Sequence, residues 1–165
     1  LALYRDAAAI DEQDPRPHLK MVAAYLDQGK LEAAKESLER GRTIEMGSGT
    51  SNAEVRFWEA RVALADGRVH DAVGSMRTAV DMEPRNALYH FWLGRVLERN
   101  QSLYEAVTCY EKAINLNSRL AIAHRALGAT AVERHQFEKA RKSFQLYRKY
   151  APDDKTIWID IGDSY

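Results

Sequence analysis

The chain has 165 residues, with 24 Lys and Arg against 24 Asp and Glu, so its formal net charge is zero. That balance argues against binding nucleic acid or an anionic membrane through bulk charge. The single Cys, Cys109, excludes an intramolecular disulfide, and no apolar run approaches the ~20 residues that insert across a bilayer.

The first residues, Leu1 to Tyr4, open inside a helical pattern, and Trp158, Ile159 and Ile161 close inside another. The chain therefore reads as a piece of a longer protein, without a visible signal peptide or an indicated compartment. Residues 1–14 form a half unit. From Pro15 the sequence repeats as units 15–52, 53–86, 87–120 and 121–154, followed by a half unit 155–165. Ala34, Ala72, Ala106 and Ala140 hold one place in successive units, the last three spaced by 34, the period of a helix–turn–helix repeat.

Each unit breaks in its middle, at Gln28-Gly29-Lys30, Asp66-Gly67-Arg68, Asn100-Gln101-Ser102 and Arg134-His135-Gln136. Gly29 and Gly67 suit a helix end that needs positive φ. Each unit also ends in a break, with Pro84 and Pro152 in two of them. Asp14, Asn52, Asn86 and Asp154 then stand where a side chain can cap the next helix. Two helices of about 14 residues per unit follow. The first unit carries four extra residues, and Gly47 to Asn52 reads as a loop. Its Gly-x-Gly follows no strand, so nucleotide binding is not expected. No stretch alternates with period two, so no sheet is expected.

Size is fixed by position. Counting from Pro15, Ala53, Ala87 and Ala121, the eighth residue is Val22, Ala60, Gly94 or Gly128, and the twentieth is the Ala series. The twenty-fourth is large: Leu38, Met76, Tyr110, Phe144. Small residues let the paired helices approach, and large ones fill what is left.

These residues resemble the tetratricopeptide repeat. Leu93-Gly94 with Ala106, Tyr110 and Ala113 matches its pattern, as do Leu127-Gly128 with Ala140, Phe144 and Pro152, and Trp158 with Ile161-Gly162. The resemblance covers the whole chain and implies an all-α, right-handed α-solenoid of antiparallel helix pairs. Departures are His18, Arg56, His90 and His124 at an aromatic position, Gly41 and Tyr147 where Ala is usual, and Arg56 with Glu59 at two apolar positions. Arg56 and Glu59 lie three apart on one helix face and are expected to pair.

In such a solenoid the first helix of each pair lines the concave side. The wheel places Phe57, Trp58 and Arg61 away from the core face of one first helix. Phe91, Trp92 and Arg95 repeat the triplet in the next, with Arg99 and Arg125 adding cations. Aromatics with Arg are typical of binding hot spots. An aromatic floor with guanidinium arms suits an apolar peptide bearing a carboxylate. The competing reading is that Trp58 and Trp92 fill gaps between neighbouring first helices. The carboxylate clamp of some relatives is not expected, because its positions hold Leu19, Ala23, Trp58, Leu88 and Trp92.

His18, His90 and His124 share one repeat position, but neighbouring helices stand 8–10 Å apart and metal ligands must converge within ~2 Å of an ion. They are expected to pack, with no metal, cofactor or catalytic site. Cys109 is expected to be structural. The expected function is a protein–protein interaction module, an adaptor or scaffold holding a protein or peptide. The alternative is a regulatory or substrate-docking segment of a larger enzyme. The half units at both ends predict self-association through Leu1–Ile10 or Trp158–Tyr165.

Overall fold

The structure is a computed structural model that describes residues 1–49 and 51–153, and its regular structure there is entirely helical. The half unit 155–165 and the caps expected of Asp154 lie outside the described residues. The chain divides into two compact units, Leu1–Glu83 and Pro84–Tyr165. The first holds α1 (Ala2–Ile10), α2 (Arg16–Asp27), α3 (Leu31–Ser48), α4 (Ala53–Ala65) and α5 (Val69–Met82). The second holds α6 (Ala87–Arg99), α7 (Leu103–Leu116), α8 (Ala121–Glu133) and α9 (Phe137–Tyr150). Within each unit consecutive helices pack as antiparallel pairs, the architecture of an α-solenoid.

The alternation of small and large residues accounts for the pairing. Ala34, Ala72, Ala106 and Ala140 are each fully buried. In the second unit a Cβ placed on Gly94 would stand 2.7 Å from Tyr110 Cδ1, and one on Gly128 would stand 2.6 Å from Phe144 Cε1. No side chain fits there, so the absence of a Cβ seats each aromatic ring of the second helix against the first. Tyr110 and Phe144 are thereby at most 1% exposed, and burying such a side chain contributes about 2–3 kcal/mol.

Two of the expected caps form, at Asn52 and Asn86. Asn52 Oδ1 accepts from the Glu54 N–H, and Asn86 Oδ1 from those of Leu88 and Tyr89. The expectation for Asp14 is corrected: α2 has Pro15 as its N-cap, with no side-chain cap bond, and Asp14, one residue earlier, accepts the Arg16 N–H in the turn that leads into the helix. The mid-unit turns share one backbone conformation. Gly29 and Gly67 have φ of 68° and 77°, as expected, and the equivalent Gln101 and His135 adopt 62° and 57°. The second unit thus holds non-glycine residues in the left-handed region, which costs about 1–2 kcal/mol each.

One boundary differs from the expectation. Gly47 to Asn52 is not all loop: α3 continues through Ser48 and stops at Gly49, whose φ is 68°. The longer helix brings Glu45, only 4% exposed, against the start of α4. Its Oε1 accepts from the Asn52 N–H at 2.6 Å, and its Oε2 from Arg56 Nη2 at 2.8 Å. The expected Arg56–Glu59 pair is present at 2.9 Å, and Arg42 Nε reaches Glu59 at 3.0 Å. Two charges at apolar repeat positions are therefore satisfied by a third and fourth supplied by the extended α3.

Candidate functional site

The first helices of the pairs carry the expected site residues in two separate groups. In the first unit Phe57 and Trp58 lie on α4, with ring centroids 4.9 Å apart and planes at 71°. The Arg61 guanidinium sits 5.8 Å from the Phe57 centroid and 5.5 Å from that of Trp58. Burial lowers the Arg61 pKa from its usual range, and the carboxylate of Asp27 on α2 partly offsets this. Trp58 Nε1 donates to Glu54 Oε1 at 3.4 Å.

In the second unit Phe91 and Trp92 on α6 repeat the edge-to-face geometry, at 5.5 Å and 72°. Arg95 follows one turn later, and Arg125 stands on α8. Phe91, Trp92, Arg95 and Arg125 line one cleft of ≈ 550 Å³ between α6 and α8, together with Ile122 and Tyr147. The Arg125 guanidinium lies 5.9 Å from the Tyr147 ring centroid. Arg95 is 46% exposed and pairs with Glu98 at 3.5 Å. Glu98 in turn accepts from the Thr130 hydroxyl of α8, which ties the two walls of the cleft together. Tyr110 behind this wall has its pKa raised by burial first and by the Glu98 charge second, so its phenol stays neutral.

The expectation of a displayed aromatic floor needs correction. Phe57, Trp58 and Phe91 are 5%, 8% and 7% exposed. Phe91 turns inward toward its own pair, with its ring 5.9 Å from that of Tyr110 on α7. A helical wheel fixes the direction of a side chain but not how closely neighbouring helices approach it, and these rings are covered by that approach. Only Trp92 of the four aromatics is half-buried. Arg99 is exposed near the end of α6 and does not line the cleft. Tyr147 was missed as a site residue; its signal was an aromatic where the repeat pattern has Ala.

The three histidines pack. His18, His90 and His124 are 8%, 4% and 3% exposed. His90 Nε2 and His124 Nε2 bond the backbone carbonyls of Pro84 and Ser118, each at 2.9 Å. Among the described residues no helix is long and apolar enough to cross a membrane.

Residues 57–123 match the family model for the tetratricopeptide repeat. No curated protein matches the chain significantly. Among solved structures, PilF of Pseudomonas aeruginosa aligns over 93% of this chain and 68% of its own, with 20% identity and a TM-score of 0.82. MamA aligns over 90% of this chain and 85% of its own, with 19% identity and a TM-score of 0.70. YrrB, described as a tetratricopeptide protein with an unusual peptide-binding site, aligns over 98% and 81%, with 17% identity and a TM-score of 0.69. At these identities the likeness is one of fold. The family model thus identifies residues 57–123 as tetratricopeptide repeat, and the solved structures show that the chain shares that fold.

Proposed function

We propose that the chain is a non-catalytic interaction module whose principal site is the cleft between α6 and α8. The reading is carried by one observation: Phe91, Trp92, Arg95 and Arg125 line the same ≈ 550 Å³ cleft. Its buried rings supply an apolar base, and the half-buried Trp92 and exposed Ile122 supply contact area. Two guanidinium groups at the mouth suit a carboxylate, which each can bind through paired N–H donors. The ligand is a peptide or partner segment with an apolar side chain beside an Asp, a Glu or a free carboxyl end. The Phe57–Trp58–Arg61 group of the first unit has the same composition and is a second candidate contact. YrrB, with its own peptide-binding site, is consistent with this use of the fold.

Peptides of about 12 residues selected from a random display library would test the reading. Selected sequences should pair an apolar residue with an acidic group. Arg95→Ala and Arg125→Ala should each weaken them by roughly tenfold or more, equivalent to about 1.4 kcal/mol. Selected peptides that bind both variants as tightly as the wild type would place the site elsewhere.

A further inference from the structure

One pair of repeat positions is filled in the opposite sense in the last helix pair. The fifth residue of each unit is Leu19, Phe57, Phe91 or Arg125, on α2, α4, α6 and α8. The twenty-seventh is Gly41, Ala79, Ala113 or Tyr147, on α3, α5, α7 and α9. These two places meet across the pair, because a Cβ on Gly41 would stand 3.1 Å from Leu19 Cδ2. In the first three pairs the first helix supplies the volume: Leu19, Phe57 and Phe91 are buried, and the facing residue is Gly or Ala. Such size complementarity is what close packing demands.

In the fourth pair the second helix supplies the volume. Tyr147 is 3% exposed, and its counterpart is Arg125. A guanidinium is costly to bury in an apolar site that a ring already fills. The Arg125 stem can run beside the ring while its charged head stays outside. The head lies 5.9 Å from the Tyr147 centroid, within cation–π reach. Both residues line the α6–α8 cleft. Phe91, the equivalent of Arg125 one repeat earlier, instead turns into its own pair against Tyr110.

We propose that Tyr147 is the positioning residue of the α6–α8 cleft. By taking the volume that an apolar fifth residue takes elsewhere, it keeps Arg125 out of the core and sets the preference of the cleft for a ligand carboxylate. This rests on the reading of that cleft as the binding site. Arg95 pairs with Glu98 on its own helix, so Arg125 is the cation whose placement the ring decides.

The test has a packing arm that needs no ligand. Tyr147→Ala should lower the urea midpoint. Adding Arg125→Phe restores the combination of Phe91 with Ala113 and should raise the midpoint again, whereas adding Arg125→Ala should not. Absence of rescue by Arg125→Phe would overturn the shared volume and the proposal with it. The binding arm uses peptides selected on the wild type, each beside a counterpart whose acidic group is replaced by the amide. Wild type and Tyr147→Phe should prefer the acidic form by roughly tenfold or more. Tyr147→Ala should lose as much of that preference as Arg125→Ala loses, with helicity unchanged by circular dichroism. Where Tyr147→Ala loses helicity, Tyr147→Val, a smaller reduction in volume, takes its place. A Tyr147 variant that weakens both peptide forms equally, and so keeps the preference, would overturn the proposal while the cleft reading stands. Wild-type binding by both Arg95→Ala and Arg125→Ala is the different result that removes the cleft reading, and the proposal with it.

Discussion

Arg56 Nη2 donates to the Glu45 carboxylate at 2.8 Å and so joins the extended end of α3 to the start of α4. Glu45 is 4% exposed and Arg56 is 26% exposed, so removing the Arg leaves a buried carboxylate short of a partner. Arg56→Ala should destabilise the chain by about 2–4 kcal/mol. Replacing Glu45 and Arg56 together by Leu should cost much less, because the desolvation of both charges is then avoided. Urea unfolding of the two variants checks this. Equal losses would show that packing of the Arg56 side chain, not its charge, matters.

Gly94 and Gly128 should not tolerate a methyl group. A Cβ at either position falls within 3.0 Å of ring atoms of Tyr110 or Phe144, and both rings are locked in the core. Gly94→Ala and Gly128→Ala should each cost about 1–3 kcal/mol, the usual range for overpacking. Tyr110→Leu should cost less in the Gly94→Ala background than in the wild type, since the smaller side chain relieves the clash. Additive losses in the double-mutant cycle would contradict the proposed contact.

The four mid-unit turns predict opposite effects of glycine. Gln101 and His135 hold φ of 62° and 57°, where Gly relieves strain. Gln101→Gly and His135→Gly should each stabilise by about 0.5–1 kcal/mol, the relief exceeding the entropy Gly adds to the unfolded chain. Gly29→Ala and Gly67→Ala should destabilise by about 1 kcal/mol. Melting temperatures of the four variants at one pH decide the matter, and a loss at His135→Gly would mean that its ring contact with Phe137, at 6.0 Å between centroids, outweighs the strain.

Helix pairing was legible in the sequence because it rests on size at fixed spacing: Ala106 and Gly94 can be small for one reason, and Tyr110 large for the complementary one. The Arg56–Glu59 pair was legible because both lie on one helix. Its Glu45 partner was not, since that depended on α3 running past Gly47. The cleft was legible in part. Composition singled out Trp92, Arg95 and Arg125, but the burial of Phe57 and Phe91 depends on distances between helices that no wheel contains. The left-handed Gln101 and His135 were hidden because only Gly announces that conformation in a sequence.

His18 sets an acid limit to stability that can be separated from that of the carboxylates. It is 8% exposed, and its Nδ1 is buried without a hydrogen-bond partner. Burial first, and the positive charge of Arg40 second, lower its pKa below the ordinary 6.5. Arg5, Glu12, Glu36 and Glu39 line the same surface depression. Below about pH 6.5 the unfolded chain protonates this residue while the folded chain resists, so the unfolded state binds more protons and stability falls. The contribution is fully present above pH 6.5 and is lost as pH falls toward the lowered folded value. Asp14 and Asp66, whose pKa values are lowered by hydrogen bonds from Arg16 and Lys35 respectively, act in the same direction but below their ordinary value of 3.8. Denaturant midpoints measured from about pH 7.5 to about pH 5.5 therefore isolate the histidine window. The wild type should lose stability across it, and His18→Gln should lose less. Parallel profiles for the two proteins would show that His18 accepts its proton in the folded state without penalty.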